Sequence, residues 1–135
     1  MSMISKAGYE RQNIFSGSDY EKTYSYSRAV KVGPQVFLSG TTGYDYSTDT
    51  LAAGAAAQTA QLMQNANNAL VKAGGSLSDV VRVRMYIAEV DDYDAIMDIF
   101  AETFKGISPA CTTVQAGLFD PEIKIEMDMD AIVEA

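Results

Sequence analysis

A chain of 135 residues with 47% hydrophobic side chains is long enough to bury a core without staples and too apolar to stay unfolded. Ten Lys plus Arg against 18 Asp plus Glu leave a net charge of −8; such a surface repels phosphate backbones, so no nucleic-acid partner is expected. With no histidine and one cysteine, the chain lacks Ser-His-Asp and Cys-His nucleophile pairs, histidine metal sites and multi-thiolate zinc sites, which leaves acid–base chemistry to Asp, Glu, Tyr, Lys, Cys or bound water.

The first residues, MSMISKAGYERQ, lack the continuous apolar stretch of a secretory leader. No apolar run approaches the roughly 20 residues of a membrane span. A cytoplasmic location and no membrane partner are therefore expected. Residues 9–15 read as a short strand, and 24–32, YSYSRAVKV, as a second one rich in Tyr and Val. Gly33-Pro34 marks a turn into a third strand at 35–39, so 24–39 is expected to be a hairpin. The polar segment from Gly40 to Asp49 reads as a loop.

Residues 53–73 carry the strongest helical pattern. Ala55, Thr59, Leu62, Met63, Ala66, Ala69, Leu70 and Ala73 recur at helical spacing, and Gly74-Gly75 closes the segment. No charge falls between Asp49 and Lys72, so the Gln/Asn side of this helix is either partly covered or a neutral solvated face. In 79–88 Val81, Val83, Met85 and Ile87 alternate with Arg82, Arg84 and Tyr86. A second helix is expected over 91–105, capped by Asp91 or Asp92 and ended by Gly106. Strands follow at 110–116 and 123–133. In the last, Ile123, Ile125, Met127 and Met129 face inward, opposite Lys124, Glu126, Asp128 and Asp130.

The order β-β-β-α-β-α-β-β predicts an α+β fold with both helices on one sheet face. The other face would carry Arg82, Arg84, Tyr86, Cys111, Thr113, Gln115, Glu126 and Asp128, and burial against copies of the chain is one use for it. No repeat, low-complexity stretch or linker divides residues 1–135, so one domain is expected.

Three segments, YSRAVKVGPQVFLSG at 26–40, AGGSLSDVVRVRMYI at 73–87 and SPACTTVQAGL with IEMD at 108–128, resemble the Rid family, also called YjgF or L-PSP. The resemblance implies a chorismate mutase-like homotrimer with a central β-barrel, helices outside and ligand sites in clefts between subunits. It implies a cofactor-free hydrolase, a deaminase of enamines and imines released by pyridoxal-phosphate enzymes. In such deaminases an arginine after a Pro-Ala-like pair clamps the substrate carboxylate and a glutamate orients water; these positions fall on Cys111 and Glu126. Tyr26, Ser39, Gly40 and Met97 fall on pocket positions, Met97 where deaminases carry asparagine. Family members have also been described as ribonucleases, a use that a chain without histidine or a basic stripe fits least.

A neutral thiol cannot replace a guanidinium, and losing that contact costs about two orders of magnitude in affinity. Three readings of Cys111 stay open: a small buried hydrophobe; a cleft retuned to another small metabolite, with Arg84 or Arg82 supplying a cation or the substrate being less acidic; and a nucleophilic or redox-sensitive thiol whose pKa Arg84 would lower. Pairing with Glu126 or Asp128 is the plainer role for the arginines. The expected function is thus a divergent enamine or imine hydrolase, and the alternative is a non-catalytic trimer that binds a small metabolite. No cofactor or metal is expected.

Overall fold

In a computed structural model the strands are β1 (Ser2–Ile4), β2 (Glu10–Ile14), β3 (Ala29–Val32), β4 (Gln35–Thr41), β5 (Tyr44–Asp45), β6 (Thr50–Leu51), β7 (Val80–Ile87), β8 (Ala110–Gln115) and β9 (Ile125–Ile132). Helices are α1 (Asp19–Tyr24), α2 (Ala55–Lys72) and α3 (Tyr93–Thr103). The structure describes residues 2–4, by backbone alone, and 8–134. The N-terminal stretch read above for a leader lies partly outside them.

Seven strands form one mixed sheet in the order β1-β2-β3-β4-β9-β7-β8, with β7 and β8 parallel and the other pairs antiparallel. Alternation in β9 decides the two faces. Ile125, Met127, Met129 and Ala131 are buried beneath α2, together with Val83, Met85 and Ile87 of β7 and Val36 and Leu38 of β4. Helix α3 packs beside α2. The fold is thus α+β with its two main helices on one face, as the sequence pattern implies.

All eight residues expected on the apolar face of α2 are buried. Two residues of its polar side are buried as well, each taking the place of a backbone partner. Gln58 donates to the Glu122 carbonyl at 3.0 Å and accepts from the Lys124 N–H at 2.8 Å. Asn65 donates to the Thr42 and Tyr44 carbonyls at 3.0 and 2.7 Å. Between those two carbonyls Gly43 lies flat on the helix; a Cβ there would strike the backbone of Gln58. Neither side of that contact can swing away, so Gly43→Ala should cost about 1–3 kcal/mol. Urea unfolding should show a lower midpoint at unchanged slope. A midpoint equal to that of the unchanged protein would mean that the helix is not gripped there.

Four expectations are corrected. Residues 24–28 are not strand: Ser18 caps α1 through the Tyr20 N–H, Ser25 ends it in the left-handed region at φ 62°, and pairing begins at Ala29. The cause is a buried carboxylate, Glu21, which accepts from the Ser16 N–H, the Ser16 hydroxyl and Arg28, winding 16–28 around itself. Within 40–49, β4 instead continues to Thr41, and β5 opens the hairpin that β6 closes just beyond. Val81 is 47% exposed, because a bulge inserts it between Val80, opposite Ala131, and Arg82, opposite Asp130. Ile123 is only half-buried and precedes β9.

Candidate functional site

Glu126 lies on the sheet face away from the helices, beside Tyr86 of β7. On its other side the β4–β9 register breaks: Leu38 pairs with Met129 and Thr41 with Met127, so Ser39 and Gly40 bulge opposite Asp128. The Glu126 carboxyl rests on the bulge. A Cβ on Gly40 would fall on its Oε2 and within 3.1 Å of its Cδ, so the close approach requires a glycine. Burial pushes the Glu126 carboxyl above the usual 4.5; the Arg28 charge pulls it down, and Asp128 adds to the rise.

Beneath the bulge lies Arg28, 5% exposed, paired with Glu21, 2% exposed. Its Nε donates to Glu21 at 3.1 Å, and its Nη1 donates to the Gly40 carbonyl at 2.5 Å and the Thr41 hydroxyl at 3.1 Å. The Tyr26 ring centroid is 5.8 Å from the guanidinium carbon, within cation–π range. The Ser39 hydroxyl donates to the Ser27 carbonyl at 2.7 Å, which ties the bulge to the loop before β3. Tyr26, Ser39, Gly40 and Glu126 therefore converge, and Arg28 joins them. Sequence reasoning missed Arg28 and Glu21. The one signal was Arg28 as one of two charges, with Lys31, in the Tyr/Val-rich run YSYSRAVKV.

Other predicted residues lie elsewhere. Arg84 donates to Asp128 at 2.8 Å and lies 3.5 Å from Asp130; the Tyr86 hydroxyl donates to Asp128 at 2.8 Å. The hydrogen bond to Asp128 raises the Arg84 pKa and also the Tyr86 pKa. Arg84 thus takes the paired role. Met97, on α3, is half-buried against the core on the helix side.

Cys111 is not on the face of Arg84. In the parallel β7–β8 pair Cys111 is opposite Val83, and Thr112 is opposite Arg84. Cys111, Thr113 and Gln115 therefore share the side of Val83, Met85 and Ile87, one residue out of step with the expectation. Nor is Cys111 a buried space-filler in this chain: all of β8 is exposed, the thiol included. Arg84 points away from it, which removes the expected partner for a thiolate. Strand β7 separates Cys111 from β9, and three residues of register offset it from Glu126, so the two α-carbons are roughly 14 Å apart at normal strand spacings.

Among the described residues no group of three or more Cys, Asp or Glu converges as a metal site, and no helix is long and apolar enough to cross a membrane.

Comparison with known proteins agrees with this architecture. The family described as Endoribonuclease L-PSP matches residues 18–133. A protein named 3-aminoacrylate deaminase RutC, from Acinetobacter baylyi, is 37% identical over 103 residues, 76% of this chain and 82% of its own. A 2-iminobutanoate/2-iminopropanoate deaminase from Dermatophagoides farinae is 34% identical over 110 residues, covering 81% and 86%. The crystal structure of a YjgF/YER057c/UK114 family member from Mycobacterium tuberculosis superposes with a TM-score of 0.83 at 35% identity, over 91% of this chain and 99% of that one.

Proposed function

The chain belongs to the endoribonuclease L-PSP family, also called Rid or YjgF, and from that premise we propose that it is a cofactor-free hydrolase of small enamine- or imine-like metabolites. In this reading it works in clefts between copies of a homotrimer in the cytoplasm and is not a standard 2-iminobutanoate deaminase. The observation that carries it is the Glu126 carboxyl held against Gly40, half-buried and raised in pKa by that burial. Such a group can orient a water and accept its proton. The water oxygen adds to the imine carbon, the proton passes to nitrogen, and the resulting carbinolamine expels ammonia to leave a carbonyl compound. Tyr26 and the Ser39–Gly40 bulge line the cleft.

Two features support a site shared between copies and a substrate other than a 2-imino acid. Cys111 and Glu126 stand on opposite faces of one sheet, so a cleft that uses both draws them from different subunits. Position 111 supplies a thiol where the deaminases of the family place a carboxylate clamp. Arg84, bound to Asp128 and Asp130, does not replace that clamp.

Ammonia release from freshly generated aminoacrylate tests the reading. The protein should turn it over at about one hundredth of the rate of a deaminase-named relative assayed beside it, and Cys111→Arg should recover roughly tenfold. Equal turnover by the unchanged protein would sink the assignment of position 111. The alternative, a non-catalytic metabolite-binding trimer, draws on the ion pairing of both Arg28 and Arg84. A ligand that copurifies and survives long incubation unchanged would favour it.

A further inference from the structure

The Arg28 guanidinium is engaged on three sides. Nε and Nη1 are taken by Glu21, Gly40 and Thr41, while Nη2 meets no acceptor among the described residues. Among the described residues no fully enclosed side-chain nitrogen or oxygen lacks a partner. Nη2, on a residue only 5% exposed, is therefore reached from outside. Arg28 lines a cavity of about 170 Å³ between the segment after β2 and the C-terminal half of α2, walled by Ser16, Tyr46, Asn68 and Lys72.

In a chain of net charge −8, no acid among the described residues lines this cavity. Its polar groups are mostly donors. Lys72 gives one proton to the Phe15 carbonyl at 3.0 Å and keeps two. Among the described residues the Asn68 amide has no hydrogen-bond partner. Burial pushes the Tyr46 phenol above its usual value, so it keeps its proton. Asn65, by contrast, is used up on Thr42, Tyr44 and Gln61. Glu21, behind the guanidinium, neutralises Arg28, and the Lys72 charge is the surplus. The balance fits one negative charge rather than a polyphosphate.

We propose that this cavity binds a small oxyanion, a carboxylate or monovalent phosphate, through Arg28 Nη2, Lys72 and Asn68. Arg28 is then shared: its Nη1 braces the Gly40 bulge under Glu126 while its Nη2 faces the anion. The site needs neither Glu126 nor Cys111, so it stands whether or not the protein is a hydrolase.

The test is a titration of the full chain, followed by ¹H–¹⁵N spectra at constant ionic strength, with sodium acetate in one arm and sodium phosphate in the other. Saturable shifts of the Arg28 and Asn68 side-chain signals and of the Ser16 amide are expected, and the arm that saturates identifies the chemistry. Lys72→Met, at an exposed position, should weaken binding roughly tenfold. Shifts that never saturate in either arm, or an affinity that Lys72→Met leaves unchanged, overturn the proposal.

Discussion

Replacing Glu21 with alanine should lower the unfolding free energy by about 3–5 kcal/mol, the usual effect of removing one partner from an enclosed ion pair. Glu21 and Arg28 are 2% and 5% exposed, and the carboxylate also accepts from the N–H and hydroxyl of Ser16. Deleting it leaves a guanidinium on a residue only 5% exposed without its counter-charge and releases the wrapped segment 16–28. Chemical denaturation of the single variant measures the loss. The double change Glu21→Met with Arg28→Met should lose less than the single one, because it removes the uncompensated charge. A loss below about 1 kcal/mol, the range of exposed pairs, would show that the interaction is wet.

On the proposed function, Glu126→Gln should reduce turnover of the best imine or enamine substrate by about 10²–10⁴, the usual contribution of a positioned acid–base group. Glutamine has the shape of the carboxyl group but cannot take a proton from water. The folding effect should have the opposite sign. Burial raises the native pKa of Glu126 above 4.5, so the folded state holds its proton more tightly than the unfolded chain. The stability this gives is present below the unfolded pKa and lost as pH rises through the native one. At neutral pH the charged group is a burden, and Glu126→Gln should melt at the same temperature or higher. In the proposed reaction, the acid limb of the unchanged protein's rate should lie above the pH of an ordinary carboxylate. A variant that is both fully active and less stable would assign Glu126 a purely structural role.

Strand β9 and helix α2 were legible in the sequence because each carries a strong period, two in one and 3.6 in the other, and all eight expected face positions of α2 are buried. Helix α1 was not. Tyr24 and Tyr26 favour strands, and a contact between Glu21 and Arg28 overrode that preference. Nothing in the run of residues marks those two as partners. The side of Cys111 was hidden for another reason. Ala110, Cys111, Thr112 and Thr113 differ too little in polarity to fix a register, and a slip of one residue reverses a strand. The bulges at Val81 and at Ser39–Gly40 were equally silent, since an inserted residue shows only where its partner strand is known. Glu126 and Gly40 were both found through family resemblance; that the carboxyl rests directly on the glycine shows only in the structure.

Gln58 behaves as an honorary peptide bond. Its amide offers one donor and one acceptor to the segment leading into β9, as a neighbouring strand would. Evolution is left few spellings at such a position: glutamate would set a negative oxygen against a carbonyl, methionine would leave both groups bereft, and asparagine is one methylene too short. The absence of charge at this helix position is in this respect a grammatical requirement of the segment it holds.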